Sequence, residues 1–124
     1  MMKGKLYLRN VRNYINVPQD TLVINIARGN MPIACKKIEL APSNALLNWY
    51  LSNKHLDNWF DIYKVQYHKE IKSNPKAIES LRDIEYMLSN GQDVCLVCFC
   101  ASHIKCHRGI IGGWFKKKGY EVLV

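Results

Sequence analysis

Two short apolar runs limit what this chain can fold into. Residues 21–27 (TLVINIA) and 93–100 (DVCLVCFC) are rich in β-branched and other apolar side chains, and neither alternates as a half-wet strand would. A strand apolar on successive residues is one covered on both faces, the usual state of a central strand in a parallel sheet. Parallel neighbours need long crossovers, and the remaining sequence supplies helical patterns for them. The expected fold is α/β: a compact three-layer domain with a mainly parallel sheet and helices on both faces.

Other elements fall into place around these runs. Residues 5–9 (KLYLR) alternate and read as a strand, with flanking charges that suit a sheet edge. Residues 10–20, with Pro18 and Asp20, read as a connection. Ser43 is placed to cap a helix running to about residue 52. Asp57 opens a second helix, in which Leu56, Trp59, Phe60, Tyr63, Tyr67 and Ile71 form one apolar stripe. That stripe reads as core, because a base-stacking platform needs exposed rings. Asn74-Pro75 starts a third helix with Ile78, Leu81, Ile84 and Leu88 inward, and Asn90-Gly91 ends it. The last helix spans about residues 106–118, with Ile110, Ile111, Trp114 and Phe115 inward. Gly112-Gly113 costs it roughly 1 kcal/mol per glycine relative to alanine, which points to close packing or to approach by a ligand. Residues 120–124 (YEVLV) form a final strand. The order is β-β-ααα-β-α-β, with right-handed crossovers.

At 124 residues the chain is long enough for one core and is read as a single domain. No apolar run approaches the ~20 residues of a membrane span, and the start carries no signal-peptide core, so a cytoplasmic protein is expected. Three of the five cysteines lie along one predicted strand, where neighbours cannot form a disulfide of good geometry, and reduced thiols follow. A net charge of +8 suits an anionic partner such as a nucleotide or nucleic acid. Simple solubility is the alternative, since no long basic run is present.

Chemistry concentrates in residues 93–115, a strand, a polar turn and a helix beginning Cys106-His107-Arg108. The first reading is an anion site. The helix start offers backbone N–H groups and the positive end of a dipole, Arg108 stands in its first turn, and Arg28 follows the other central strand. Arginine holds phosphate or carboxylate bidentately. The competing reading pairs Arg108 with Asp93 or Glu39. A second chemistry is a reactive thiol: Cys106 beside His107 and Arg108 at a helix start is expected to have a lowered pKa. Cys95 and Cys98, three apart on a strand, face opposite ways and cannot act as a redox pair. A third is zinc, held by Cys98, Cys100, Cys106 and His107 or His103. Against it, Cys98 and Cys100 would lie about 6.5 Å apart along a strand. Adjacent Cys106 and His107 also point apart on a helix, so no metal is expected.

Several stretches resemble domain-of-unknown-function family 488. They are IELAPSNALLNWY, the WF and YKVQYHKEI segments after it, NPKAIESLRDIE, and VCFCASHIKCHR. The likeness rests on the Leu40 to Ser43 stretch, on Arg28-Gly29 about a dozen residues before it, and on Cys98 followed by Cys106-His107-Arg108. It covers nearly the whole chain from about residue 20. The Cys-x-Cys of Cys98 and Cys100 also resembles the related family 4326. The resemblance implies a compact α/β fold, with DNA-processing or nucleotide-linked roles in view and no particular reaction.

Taken together, the expected function is binding, with processing as an extension, of a phosphate-bearing ligand (a nucleotide or nucleic acid). Arg28 and Arg108 would hold the anion, Cys98 and Cys100 would line the pocket, and Cys106 and His107 would be the catalytic pair. A basic, non-enzymatic interaction or inhibitor protein is the alternative, with a small zinc- or thiol-dependent protein beside it. Cofactor and oligomeric state are left open.

Overall fold

The middle of the structure is a strand with no exposed residue. In the computed structural model, which describes residues 2–100, 102 and 104–124, every residue of Val94–Cys98 is buried. The strands, in chain order, are β1 (Leu6–Asn10), β2 (Leu22–Asn25), β3 (Cys35–Lys36), β4 (Val94–Cys98) and β5 (Val122–Leu123). They form one sheet in the order β3-β2-β4-β1-β5, and every pairing is parallel. The helices are α1 (Asn44–Asn53), α2 (Trp59–Lys72), α3 (Pro75–Ser89) and α4 (His107–Lys117), with a 3₁₀ turn at Ile38–Leu40 ahead of α1. The parallel α/β class is as the apolar runs imply.

The two faces of the sheet are covered in different ways. Leu6, Leu8, Ile24, Val94, Leu96 and Cys98 point to one face, where they share a core with residues of α1, α2, α3 and α4. Tyr7, Cys95 and Val97 point to the other, where Tyr14, Val17, Met31 and Ile33 from connecting segments cover them. Helices were expected on both faces; the second face is instead closed by loops. Topology supplies the reason. β1→β2 and β2→β3 run one way along the sheet, through connections of about ten residues with no helix, whereas β3→β4 and β4→β5 run the other way and carry all four helices. With crossovers of one hand, connections running in opposite directions lie on opposite faces.

Two details depart from the sequence reading. Residues 5–9 are not an edge strand, because β1 pairs with β4 on one side and β5 on the other. Its charges sit at the strand ends: the Lys5 N–H donates to Asp93 Oδ1 at 2.7 Å, and Arg9 folds over the Tyr7 ring. Residues 35 and 36, to which the sequence reading gives no strand, form the short edge strand β3 beside β2.

Helix boundaries follow their caps. Ser43 Oγ accepts from the Leu46 N–H at 3.0 Å, and Asn74 Oδ1 accepts from the Lys76 N–H at 3.1 Å, with Pro75 opening the helix. Tyr63, Tyr67 and Ile71 of the α2 stripe are buried, while Leu56 stays outside the helix. The Tyr67 hydroxyl donates to the Leu40 carbonyl at 2.6 Å, and its ring stacks on Tyr63 and on Trp114 of α4.

The glycine pair in α4 divides cleanly. A Cβ at Gly112 would come within 2.7 Å of Leu8 Cδ1, whereas at Gly113 it would meet nothing within 4 Å. Gly113→Ala should therefore raise stability by about 1 kcal/mol through helix propensity. Gly112→Ala should lose that gain to overlap with the buried Leu8. Urea unfolding of the two variants checks this, and equal effects would contradict the packing role of Gly112.

Candidate functional site

Beyond the carboxyl ends of β2 and β4 the chain builds a pocket. Connections leave these neighbouring strands in opposite directions along the sheet, and open α/β sheets bind ligands at such a switch point. Its volume is about 180 Å³, and its lining joins Ala27, Arg28 and Gly29, Pro42 and Leu47, Tyr50, Trp59 and Tyr63, and Cys98 to Cys100 with Lys105 to His107.

The β2 side is shaped by one buried amide. Asn25 Oδ1 accepts from the Ala27 N–H at 2.8 Å while its Nδ2 donates to the Gly29 carbonyl at 3.0 Å. This folds the chain into a tight turn that presents Arg28. Gly29 has no side chain because the Phe99 ring lies against it; a Cβ there would be 2.3 Å from Phe99 Cε2. Arg28 is exposed, and its Nε donates to the Pro42 carbonyl at 2.7 Å, leaving the terminal guanidinium nitrogens for other partners.

That contact explains the Leu40 to Ser43 stretch. Leu40 accepts from Tyr67, Pro42 accepts from Arg28, and Ser43 caps α1. Ser43 also donates its N–H to Glu70 Oε1 at 3.0 Å, and its hydroxyl bonds Glu70 Oε2. Leu40, Pro42 and Ser43 thus tie the arginine turn to α1 and α2.

The β4 side brings three sulfurs together. The Sγ atoms of Cys98, Cys100 and Cys106 all lie within 4.8 Å of one another, and Cys98 and Cys106 are 3.1 Å apart. The strand stops at Cys98, so Cys100 is not held at strand spacing and turns back toward its neighbours. Cys106 is the N-cap of α4 and uses its side chain for the cluster instead of the cap. Cys95 faces the opposite side of the sheet, as its spacing requires.

His107 and Arg108 are both buried. His107 Nε2 lies 2.9 Å from the Ile26 carbonyl, which only accepts, so Nε2 carries the proton and Nδ1 offers a lone pair 3.5 Å from Cys106 Sγ. Burial lowers the His107 pKa and keeps the ring neutral. Arg108 donates to the Arg9 carbonyl, and its Nε has no partner among the described residues. It forms no ion pair with Asp93 or Glu39, which accept from the Lys5 N–H and the Ser80 hydroxyl.

The thiols divide their protons unevenly. Hydrogen bonds from Cys106 and then Cys98, with the Arg108 guanidinium nearby, pull the exposed Cys100 well below the usual thiol range. The hydrogen bonds with Cys100 and then Cys98, followed by burial, push Cys106 far up, so the lowered pKa expected at Cys106 belongs to Cys100. A helix start favours a thiolate only where water or donors also reach it, and Cys106 is 2% exposed.

Of the residues singled out from sequence, Arg28, Cys98, Cys100, Cys106 and His107 share this pocket. Arg108 stands behind it, against the end of β1. His103 lies outside the described residues, and no metal-ligating role can be placed on it. The α2 stripe places Trp59 and Tyr63 in the core; in the structure their rings, with that of Tyr50, are partly core and partly pocket wall. Lys105, 6.0 Å over the Trp59 ring, and Asn25 were not singled out. A lone Asn within an otherwise apolar strand was the available signal for Asn25.

A family model described as the active DUF488-N3 subclade matches residues 18–119. The chain belongs to the DUF488 family. No curated protein and no solved structure matches it. The match spans both halves of the DUF488 pocket, from the arginine turn to α4.

Two measurements probe this DUF488 site. Ser43→Ala removes a cap and a link to Glu70 and should cost about 1–2 kcal/mol in urea unfolding; an unchanged midpoint would deny the stretch its fastening role. Alkylation of the reduced, folded protein in the presence of a chelator, mapped by mass spectrometry, should mark Cys100 first and Cys35 next. Cys95, Cys98 and Cys106 should stay protected until unfolding, and labelling of Cys106 as fast as Cys100 would refute that order.

Proposed function

We propose that the pocket binds a nucleotide-class ligand, with a flat ring inside and a phosphate at the mouth. One observation carries this reading: the lining pairs aromatic and apolar walls with the cations Arg28 and Lys105, and no carboxylate stands among its described residues. Its volume of about 180 Å³ decides how such a ligand sits. Sites for drug-sized molecules run to roughly 300–1,000 Å³, so this one takes a ring and leaves the remainder outside. Trp59, half-buried in the pocket wall, offers a ring, and stacking on such a ring is worth about 1–3 kcal/mol per base.

The mouth supplies the charge. Arg28 keeps its terminal nitrogens free of Pro42, and Lys36 Nζ approaches the same turn through the Arg28 carbonyl at 3.3 Å. The first amides of α4, at His107 and Arg108, belong to a helix start whose N–H groups have no intrahelical acceptor. A free nucleotide and the end of a nucleic acid strand share the chemistry required, a base with its phosphate. The family description as an active subclade is in keeping with a working site.

Thermal stability against nucleoside monophosphates, nucleosides, inorganic phosphate and short oligonucleotides tests the reading. A phosphorylated nucleoside should raise the midpoint more than either fragment. Arg28→Gln, at an exposed position, should weaken binding by about 10- to 100-fold through loss of a charge-assisted contact. No shift with any nucleotide, or equal affinity in Arg28→Gln, would sink the proposal. A larger response to oligonucleotides than to mononucleotides would assign the ligand to a strand end.

A further inference from the structure

The cluster at the floor of the pocket asks for a separate explanation, because a ring-binding site has no need of three converging sulfurs. We infer that Cys98, Cys100 and Cys106 form a binding site for a zinc-class divalent ion, with His107 Nδ1 as the nearest fourth donor. The inference does not depend on what the pocket binds.

Distances come first. In a tetrahedral zinc site with Zn–S about 2.3 Å and Zn–N about 2.0 Å, sulfurs stand about 3.8 Å apart and sulfur and nitrogen about 3.5 Å. The three Sγ atoms lie within 4.8 Å of one another, and His107 Nδ1 is 3.5 Å from Cys106 Sγ. The Cys98–Cys106 pair, at 3.1 Å, would open by about 0.7 Å to admit the ion. Exposed Cys100, beyond the end of β4, has the freedom to close on it.

The orientation of His107 is an independent observation. Its Nε2 donates to the Ile26 carbonyl, which fixes the tautomer and leaves the unprotonated Nδ1 facing Cys106, the nearest sulfur of the cluster. Metal-bound histidines are held in just this way, with the far N–H given to a carbonyl or carboxylate. In the metal-free protein the Cys106 S–H can fill the gap to Nδ1; an ion would take the place of that proton, as metals do when they bind thiols.

Charge balance points the same way. Three thiolates around a divalent ion carry one net negative charge. Buried Arg108 carries one positive charge, has no carboxylate partner among the described residues, and lies within electrostatic reach of Cys98 and Cys100. A closed set of soft donors favours zinc over magnesium or calcium, which prefer oxygen.

The test is titration of reduced protein with Zn²⁺ and with Co²⁺ as a coloured substitute. One equivalent should bind, and Co²⁺ should show the intense visible bands of a tetrahedral thiolate site. Cys100→Ser, at an exposed position that the fold does not rely on, should weaken binding by more than about 100-fold, beyond the 10- to 100-fold loss typical of outer partners. Cys35→Ser should bind as the parent does, since Cys35 lies on β3 away from the cluster. No stoichiometric uptake would overturn the inference, as would equal affinity in Cys100→Ser or an equal loss in Cys35→Ser. Because the readout is metal alone, its outcome is separate from that of the nucleotide experiment.

Discussion

The complete burial of β4 is the constraint on which the other parts rest. Five consecutive residues, Val94 to Cys98, are shielded from water, flanked by β2 and β1 and covered above and below. A strand in that position cannot end gradually. Its backbone groups are paired until the sheet stops, and the chain must then leave within a few residues to start α4. Cys98 and the N-cap Cys106 are the two ends of that departure, so their approach follows from the topology. The same exit places His107 under the end of β2, where the Ile26 carbonyl accepts its Nε2–H hydrogen bond.

The opposite wall of the pocket is held from elsewhere. Asn25 closes the turn after β2, and Arg28 is steadied by Pro42. Pro42 in turn belongs to a stretch bonded to α2 through Tyr67 and Glu70. A buried hydroxyl–carbonyl bond such as Tyr67 to Leu40, once broken, leaves an unpaired group at a cost of about 1–3 kcal/mol. The arginine turn is thus fixed by helix contacts far from it in sequence. Tyr67 also touches His107 edge to face, so one side chain braces both walls.

Much of this was legible in the sequence, and the misses have physical causes. The two apolar runs announce the central strands because burial on both faces erases alternation. Ser43 and Asn74 announce helix starts because only such side chains cap a helix N-terminus. What spacing could not convey was where β4 ends. Read as a strand to residue 100, it holds Cys98 and Cys100 apart; ending at Cys98, it lets them meet. The covering of the second face was equally hidden, because loops with scattered apolar residues such as Tyr14, Val17 and Ile33 carry no periodicity. The lowered thiol pKa is expected at Cys106 from a helix start with His107 and Arg108 beside it, whereas burial and the neighbouring thiols give that property to Cys100.

Arg108 connects the two proposed activities. A guanidinium 2% exposed and without a carboxylate partner among the described residues is costly unless negative charge lies nearby. The thiol cluster can supply that charge, as a single thiolate or as three thiolates around an ion, and in both cases Arg108 is neutralised from the pocket side. It is then not free to hold a ligand phosphate, and this leaves that task to Arg28 and Lys105 at the mouth. The two arginines that seemed equivalent in the sequence therefore divide the work. One balances the floor of the site, and the other faces what enters it.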